Sequence, residues 1–311
     1  METTYQESRK VRKAFEAMIL EFRPSLWSYC LNLTGSPWDA EDLAQETVLK
    51  AFAKLSFMYQ SVQPKAYLFR IATNSWIDQC RRNKAISFTL EEEIDKYIGM
   101  EEVDPIDIRH SLEVMCDVLP PRQRVVFLLS DVFEFRIKEI VEMTSITDGA
   151  VKSLLYRARK SLLNMRHYEK QGIDRQVKKN KDHVIDTYIE AFNKRDADRI
   201  ADLLTDQSVM EIVGVTEELG KEMIRTNSLS EWEKDSRFMK GEWTVVFGQV
   251  VLCVFVRDKE QDQPALSTIQ RIEHDVDNVL KVTDYYYCPE LIQYVAATLN
   301  VAHQTDGTFW K

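Results

Sequence analysis

The chain lacks the marks of a disulfide scaffold or a zinc module. Its five cysteines, Cys30, Cys80, Cys116, Cys253 and Cys288, are odd in number and widely scattered; they form no CxxC pair, and no histidine stands at zinc-ligand spacing. That usage fits free, mostly buried thiols in a reducing compartment, and no metal or cofactor is expected. Long apolar runs are missing too. The opening METTYQESRK is polar, without the apolar core of a signal peptide. The most apolar stretch, Val245 to Val256, is interrupted by Gly248 and Gln249 and is too short to span a bilayer. These absences predict a soluble, cytoplasmic protein. No internal repeat and no nucleophile or acid–base constellation stands out, so no enzymatic activity is expected.

Positive charge is scarce, but unevenly so. Up to Arg175, 25 Lys and Arg face 26 Asp and Glu; from Gln176 onward 16 face 24, so nearly all of the net −9 sits in the last part. A near-neutral first part can still hold locally basic helices that bind nucleic acid. At 311 residues the chain fits two or three compact units.

Hydrophobic periodicity divides the chain. Helical spacing runs from about Lys13 to Leu33 and is stopped by Gly35; Ser36-Pro37-Trp38-Asp39 then opens a second helix, and a third begins after Pro64 and ends near Arg81-Arg82-Asn83-Lys84. Residues 1–84 thus form a helical domain. Residues 85–109, with Glu91-Glu92-Glu93, Glu101-Glu102 and Asp104-Pro105, read as an acidic linker. A second helical domain covers 110–170, and 171–181 is a polar, basic linker. In 182–311, two helices precede runs that read as strands at Trp243 to Phe247, Val250 to Arg257, Leu266 to Glu273 and Leu280 to Tyr287, an α+β pattern.

Three segments carry chemistry. In the helix opened by Ser36, Leu43, Val48, Ala51, Phe52 and Leu55 form the expected buried stripe, leaving Asp39, Asp42, Gln45 and Glu46 as an acceptor-rich outer face. In the third helix Tyr67, Arg70, Asn74, Asp78 and Arg81 recur at steps of three or four, and Arg82 follows. A ring that can stack, an amide that can read a base edge and arginines that can hold phosphate suit single-stranded nucleic acid. The third segment has two short helices around a tight turn, Ile137 to Val141 and Gly149 to Lys160. Between Asp148 and Lys170 six basic residues face two acidic ones, as in a helix-turn-helix whose second helix enters a major groove.

Taken together, Asp-Ala-Glu-Asp-Leu-x-Gln-Glu at 39–46, Tyr-Leu-Phe-Arg-Ile-Ala-x-Asn at 67–74 and Leu-Pro-x-Arg-Gln-Arg…Gly-Ala-Val-Lys-Ser…Arg-Ala-Arg at 119–159 resemble regions 2 and 4 of extracytoplasmic-function sigma factors. The resemblance covers roughly residues 10 to 168. It implies that Asp39, Asp42, Gln45 and Glu46 bind the RNA polymerase core, on the clamp helices of the β′ subunit, with β as a further partner. Tyr67, Arg70, Asn74, Arg81 and Arg82 would meet the −10 promoter element, with Asn74 near the pocket for a flipped base. Gly149, Lys152, Ser153, Tyr156, Arg157 and Arg159 would read the −35 element, and the acidic linker would enter the RNA-exit path. Two positions depart from the family: Leu154 follows Lys152-Ser153 where arginine is common, and the turn Met143-Thr144-Ser145-Ile146 lacks the usual glycine.

The tail from about Val177 is similar to the SnoaL-like cone, on the evidence of Tyr188 to Asp196 and Ile200 to Asp206 leading into a strand. The expected fold is therefore two all-α domains followed by an α+β SnoaL-like cone with a curved antiparallel sheet. By resemblance this tail regulates the sigma part from within the same chain. Its polar candidates, Glu211, His274, Asp284 and Tyr286, read as strand residues facing solvent. The rival reading is a helix-turn-helix regulator whose tail binds a small ligand.

Overall fold

The computed structural model describes residues 2–53, 64–84, 115–116, 118–164, 183–257 and 263–305. They fall into two compact units, Met1–Gln171 and Gly172–Lys311. Both expected linkers and Leu55 lie outside the described residues. None of the five cysteines is in a disulfide, and Cys30, Cys253 and Cys288 are buried. No helix among the described residues is long and apolar enough to cross a membrane.

In the first unit, helices α1 (Glu2–Thr34), α2 (Pro37–Ala53) and α3 (Pro64–Lys84) pack on one another. Gly35 ends α1 for two reasons. Its φ of +75° lies in the left-handed region, and a Cβ there would meet Cys116 Sγ at 2.8 Å. Ser36 Oγ accepts the Asp39 N–H at 3.3 Å, and Pro37 fills the first turn of α2. Leu26, Tyr29, Leu33, Leu43, Leu68 and Phe69 are fully buried, and Tyr29 stacks on Phe69 with centroids 4.6 Å apart. The Tyr29 hydroxyl stays satisfied inside this core, 2.7 Å from Thr73 Oγ1. The expected stripe of α2 needs one correction: Leu43, Val48 and Ala51 are buried, but Phe52 is 45% exposed. Adjacent helical residues point about 100° apart, and the buried Leu43, Thr47 and Ala51 form the i, i+4 line that faces the neighbouring helices.

The rest of this unit comprises α4 (Pro121–Phe127), which widens into a π-helical turn (Leu128–Val132), then α5 (Ile137–Thr144) and α6 (Asp148–Asn164). Just beyond the π turn, Phe133 and Phe135 place their rings 4.9 and 5.3 Å from Phe69, with the Lys65 ammonium 5.1 Å above Phe135. Arg124 completes the joint. Only 8% exposed, it donates to the carbonyls of Leu33 at 2.5 Å, Leu119 at 3.2 Å and Cys116, and its guanidinium lies 5.4 Å from the Trp76 ring. It thereby caps the end of α1 from 91 positions away. The two helical domains expected at 1–84 and 110–170 thus fall within one compact unit.

The second unit starts with α7 (His183–Lys194) and α8 (Ala197–Ala201), followed by β1 (Leu204–Ile212), β2 (Thr216–Leu219), α9 (Lys221–Thr226), α10 (Ser228–Lys234), β3 (Phe238–Val246), β4 (Gln249–Arg257), β5 (Ala265–His274), β6 (Val279–Asp284) and α11 (Pro289–Leu299). The sheet order is β2-β1-β6-β5-β4-β3. The antiparallel expectation holds for four of its pairings and is corrected at the fifth: β1 and β6 run parallel. The physical reason is connectivity, since these strands are separated by the whole β2-to-β5 excursion, whereas adjacent hairpins pair antiparallel. The sheet with its covering helices is the architecture that the SnoaL-like resemblance implies. Helix α7 lies close over β3, where a Cβ on Gly241 would meet Leu252 at 2.9 Å and Phe192 at 3.1 Å. Asn193 locks the contact by accepting from Gly241 N–H at 2.7 Å and donating to its carbonyl at 3.1 Å.

Replacing Arg124 by methionine keeps an apolar stem but strands the Leu33, Cys116 and Leu119 carbonyls. The expected loss is about 2–4 kcal/mol in urea unfolding, with faster amide exchange around Gly35 and Leu119. A variant within about 0.5 kcal/mol of the parent would show that Arg124 is not the joint.

Candidate nucleic-acid interface

The acidic motif of α2 is split by the helix rotation. Asp39 and Asp42 are exposed, whereas Glu41 is fully buried, with Arg23 at 2.7 Å and Gln45 donating to it at 2.9 Å. Gln45 is half-buried by that bond. Glu46, also half-buried, pairs with Lys50 at 2.6 Å and accepts from Gln79 of α3 at 3.1 Å, so it ties α2 to α3. The outer stripe continues through residues that sequence reasoning missed. Leu49 is 69% exposed and Phe52 45%, and both follow Asp42 and Gln45 at helical steps of three and four. The stripe is polar at its start and apolar at its end.

On α3, Arg70, Asn74, Arg81 and Arg82 are exposed, with Arg81 paired to Asp78 at 3.1 Å. Tyr67 is different. It is 6% exposed, its hydroxyl is buried without a partner, and the Arg70 guanidinium lies 5.5 Å from the ring. Burial raises its phenol above the ordinary value, and the Arg70 charge opposes that rise. The open face of α3 therefore offers cations and an amide, with the aromatic ring beneath them.

The helix-turn-helix is built as expected. Val151, Leu155 and Ala158 face inward, while Gly149, Lys152 and Lys160 are exposed, and Ser153, Tyr156 and Arg157 are half-buried beside them. Nothing lies within 4 Å of a Cβ built on Gly149, so this end of α6 is open to close approach. Thr147 Oγ1 caps α6 by accepting from Ala150 N–H at 3.3 Å. Lys152 pairs with Asp148 at 2.7 Å on the surface, and Arg157 donates to Ser153 at 3.3 Å. Arg159 is turned to Asp131, with two hydrogen bonds of 2.8 and 2.7 Å that hold its pKa above even the usual guanidinium value. Its position joins α6 to the π turn, leaving Lys152, Arg157 and Lys160 as the cations of the outer face. The turn without glycine places Ser145 at φ 56°, ψ 31°, so a serine holds the left-handed C-cap of α5.

Among the tail's polar candidates, Glu211 pairs with Lys281 at 2.7 Å and His274 meets the Asp275 carbonyl at 2.8 Å, both partly open to solvent. Asp284 and Tyr286 are corrections. They line a cavity of about 430 Å³ on the face of the sheet covered by α7. β6 is an interior strand, and Asp284 at its end is partly buried beside the buried Val282 and Thr283. Asp284 accepts from Thr268 Oγ1 and Gln270 Nε2 at 2.6 Å each and from Tyr286 N–H at 3.0 Å, while Tyr188 donates to Gln270 at 3.2 Å. Burial raises the Asp284 pKa against the pull of those three bonds.

Comparison with known proteins agrees with the two helical motifs. The family model of sigma-70 region 2 matches residues 18–86, and that of sigma-70 region 4 matches 109–162. The chain is similar to the ECF RNA polymerase sigma factor SigG of Mycobacterium tuberculosis, 28% identical over 228 residues, which are 65% of this chain and 62% of SigG. It is also similar to SigL of the same species, 30% identical over 152 residues, 47% of this chain and 85% of SigL. The crystal structure of Mycobacterium tuberculosis extracytoplasmic function sigma factor SigJ aligns over 89% of this chain and 96% of that one, at 19% identity and a TM-score of 0.33. The match to SigG thus spans less than two thirds of that relative's length.

Ser145→Gly should stabilise the helix-turn-helix by about 0.5–1 kcal/mol, because a left-handed residue with a Cβ is strained and glycine is not. Denaturant midpoints of parent and variant give the comparison. A lowered midpoint would mean that the serine side chain holds the turn in another way.

Proposed function

The chain belongs to the extracytoplasmic-function sigma factors, and from that membership we propose that it is an alternative RNA polymerase sigma factor acting in the cytoplasm. It binds core polymerase, recognises −35 and −10 promoter elements and promotes strand opening. It needs no chemistry of its own, since polymerase supplies the active site. The observation that carries this reading is the pairing, in one compact unit, of the exposed α3 strip Arg70, Asn74, Arg81 and Arg82 with the basic helix α6. A regulator that only binds duplex DNA has no use for the first.

In this reading Asp39 and Asp42 supply charge at the docking face on the β′ subunit, with Gln45, Leu49 and Phe52 continuing it and Glu46 bracing it from behind. Gly149, Lys152, Ser153, Tyr156 and Arg157 face the −35 duplex, and Arg159 fixes the angle of α6 through Asp131. Asn74 holds a base freed by opening, and Arg70 screens its phosphates while Tyr67 backs the arginine. The tail regulates this machinery in cis. Residues 176–311 carry a net −8, and tethering gives such an acidic body a high effective concentration near the basic helix.

Two variants separate docking from opening. Asp42→Arg should lose co-purification with core polymerase, whereas Asn74→Ala should keep polymerase and duplex binding but lose permanganate reactivity of −10 thymines. Undiminished polymerase binding by the first, or unchanged reactivity in the second, removes that residue from the mechanism. Truncation after Arg175 should change run-off yield from a cognate promoter. A yield and a polymerase affinity equal to those of the full chain would exclude regulation in cis.

A further inference from the structure

The cavity of the second unit has a polar inventory that the transcription reading leaves unused. Its volume, about 430 Å³, is within the range of small-molecule sites. Phe192, Met210, Val254 and Val256 give it apolar walls. Into these walls are set four buried polar atoms without a hydrogen-bond partner: Glu218 Oε2, Ser228 Oγ, Ser267 Oγ and Trp232 Nε1. Buried polar groups in folded proteins are nearly always paired, so four orphans around one space point to an occupant that pairs them.

The charges say which kind of occupant. Arg237, also on the lining, is committed to Asp235 through contacts of 2.7 to 3.1 Å. Asp284 is committed to Thr268, Gln270 and the Tyr286 amide. Glu218 remains. It is 7% exposed, sits on β2 opposite Met210, and therefore shares the inward face with the apolar core. A hydroxyl can turn to whatever neighbour it finds, but a carboxylate withdrawn from water is costly unless a cation or strong donor meets it. Four carboxylates, Glu218, Glu231, Asp235 and Asp284, line the cavity against the single Arg237, which disfavours an anion.

We propose that this cavity binds a small organic amine with a mostly apolar body, its ammonium paired with Glu218 and its body against Phe192, Met210 and Trp232. Ser228 and Ser267 accept the remaining ammonium protons or meet a hydroxyl on the ligand, and Trp232 Nε1 donates to any acceptor it carries. Every residue of the site belongs to the second unit.

The test uses the full-length chain and three probes of one shape: 2-phenylethylamine, 2-phenylethanol and phenylacetate. Calorimetry and thermal unfolding should show the amine binding and raising Tm with concentration, the alcohol binding about tenfold or more weakly, and the acid not binding. Glu218→Gln, which keeps the shape, should abolish the preference for amine over alcohol while leaving the alcohol's affinity unchanged. The preference in the parent chain is itself decisive if the variant fails to fold. No binding of the amine at millimolar concentration, equal or tighter binding of phenylacetate, or an undiminished amine preference in Glu218→Gln would each overturn the assignment.

Discussion

The first unit depends on one buried cation. Among the described residues no carboxylate pairs with Arg124; its two terminal nitrogens donate to three backbone carbonyls and its guanidinium lies against an indole face. Carbonyls at a helix end cannot be moved without moving the helix, so this single side chain fixes where α4 starts relative to where α1 stops and how α3 presents Trp76. The aromatic cluster follows from that geometry, because the π turn delivers Phe133 and Phe135 onto the Phe69 ring only when α4 is seated. The inner side of α3 is thereby consumed in packing. What is left for recognition is the outer line of Arg70, Asn74, Arg81 and Arg82.

Much of this was legible in the residues. Apolar spacing, Gly35, the Ser36-Pro37 start and the basic second helix of the helix-turn-helix are local signals, and local signals survive into structure because helices are built from contacts three and four residues apart. The misreadings share another cause. Which of Ala51 and Phe52 faces inward depends on where the neighbouring helices lie, and both are apolar. The partners of Arg159 and Glu46 lie 28 and 33 residues away, so no window of sequence shows that one braces a helix and the other joins α2 to α3. Helical spacing leaves Glu41, one of the four carboxylates of α2, off the outer face, but the partner that makes its burial tolerable, Arg23, lies 18 residues away and is not visible in that spacing.

The tail shows the same limit at the level of topology. Alternating strands were readable at β3 to β6, but the parallel contact of β1 with β6 closes over a distance that no hairpin rule covers. That contact makes β6 interior. At the end of this interior strand Asp284 is partly buried, and a residue type usual on a surface strand joins the lining of a cavity. Helix α10, whose short run gives weak periodicity, supplies Ser228 and Trp232 to its lining.

The same strand order leaves β3 at the edge, nine residues long, and among the described residues no further strand pairs with its outer backbone groups. Lys240 and Glu242 stand along this edge, paired at 2.6 Å, and the exposed Phe238 at its start is roofed by the Arg257 guanidinium at 5.1 Å. Another copy adding a strand here would have to desolvate that ion pair and strip the arginine from its ring. Charges placed in this way are gatekeepers against edge-to-edge pairing.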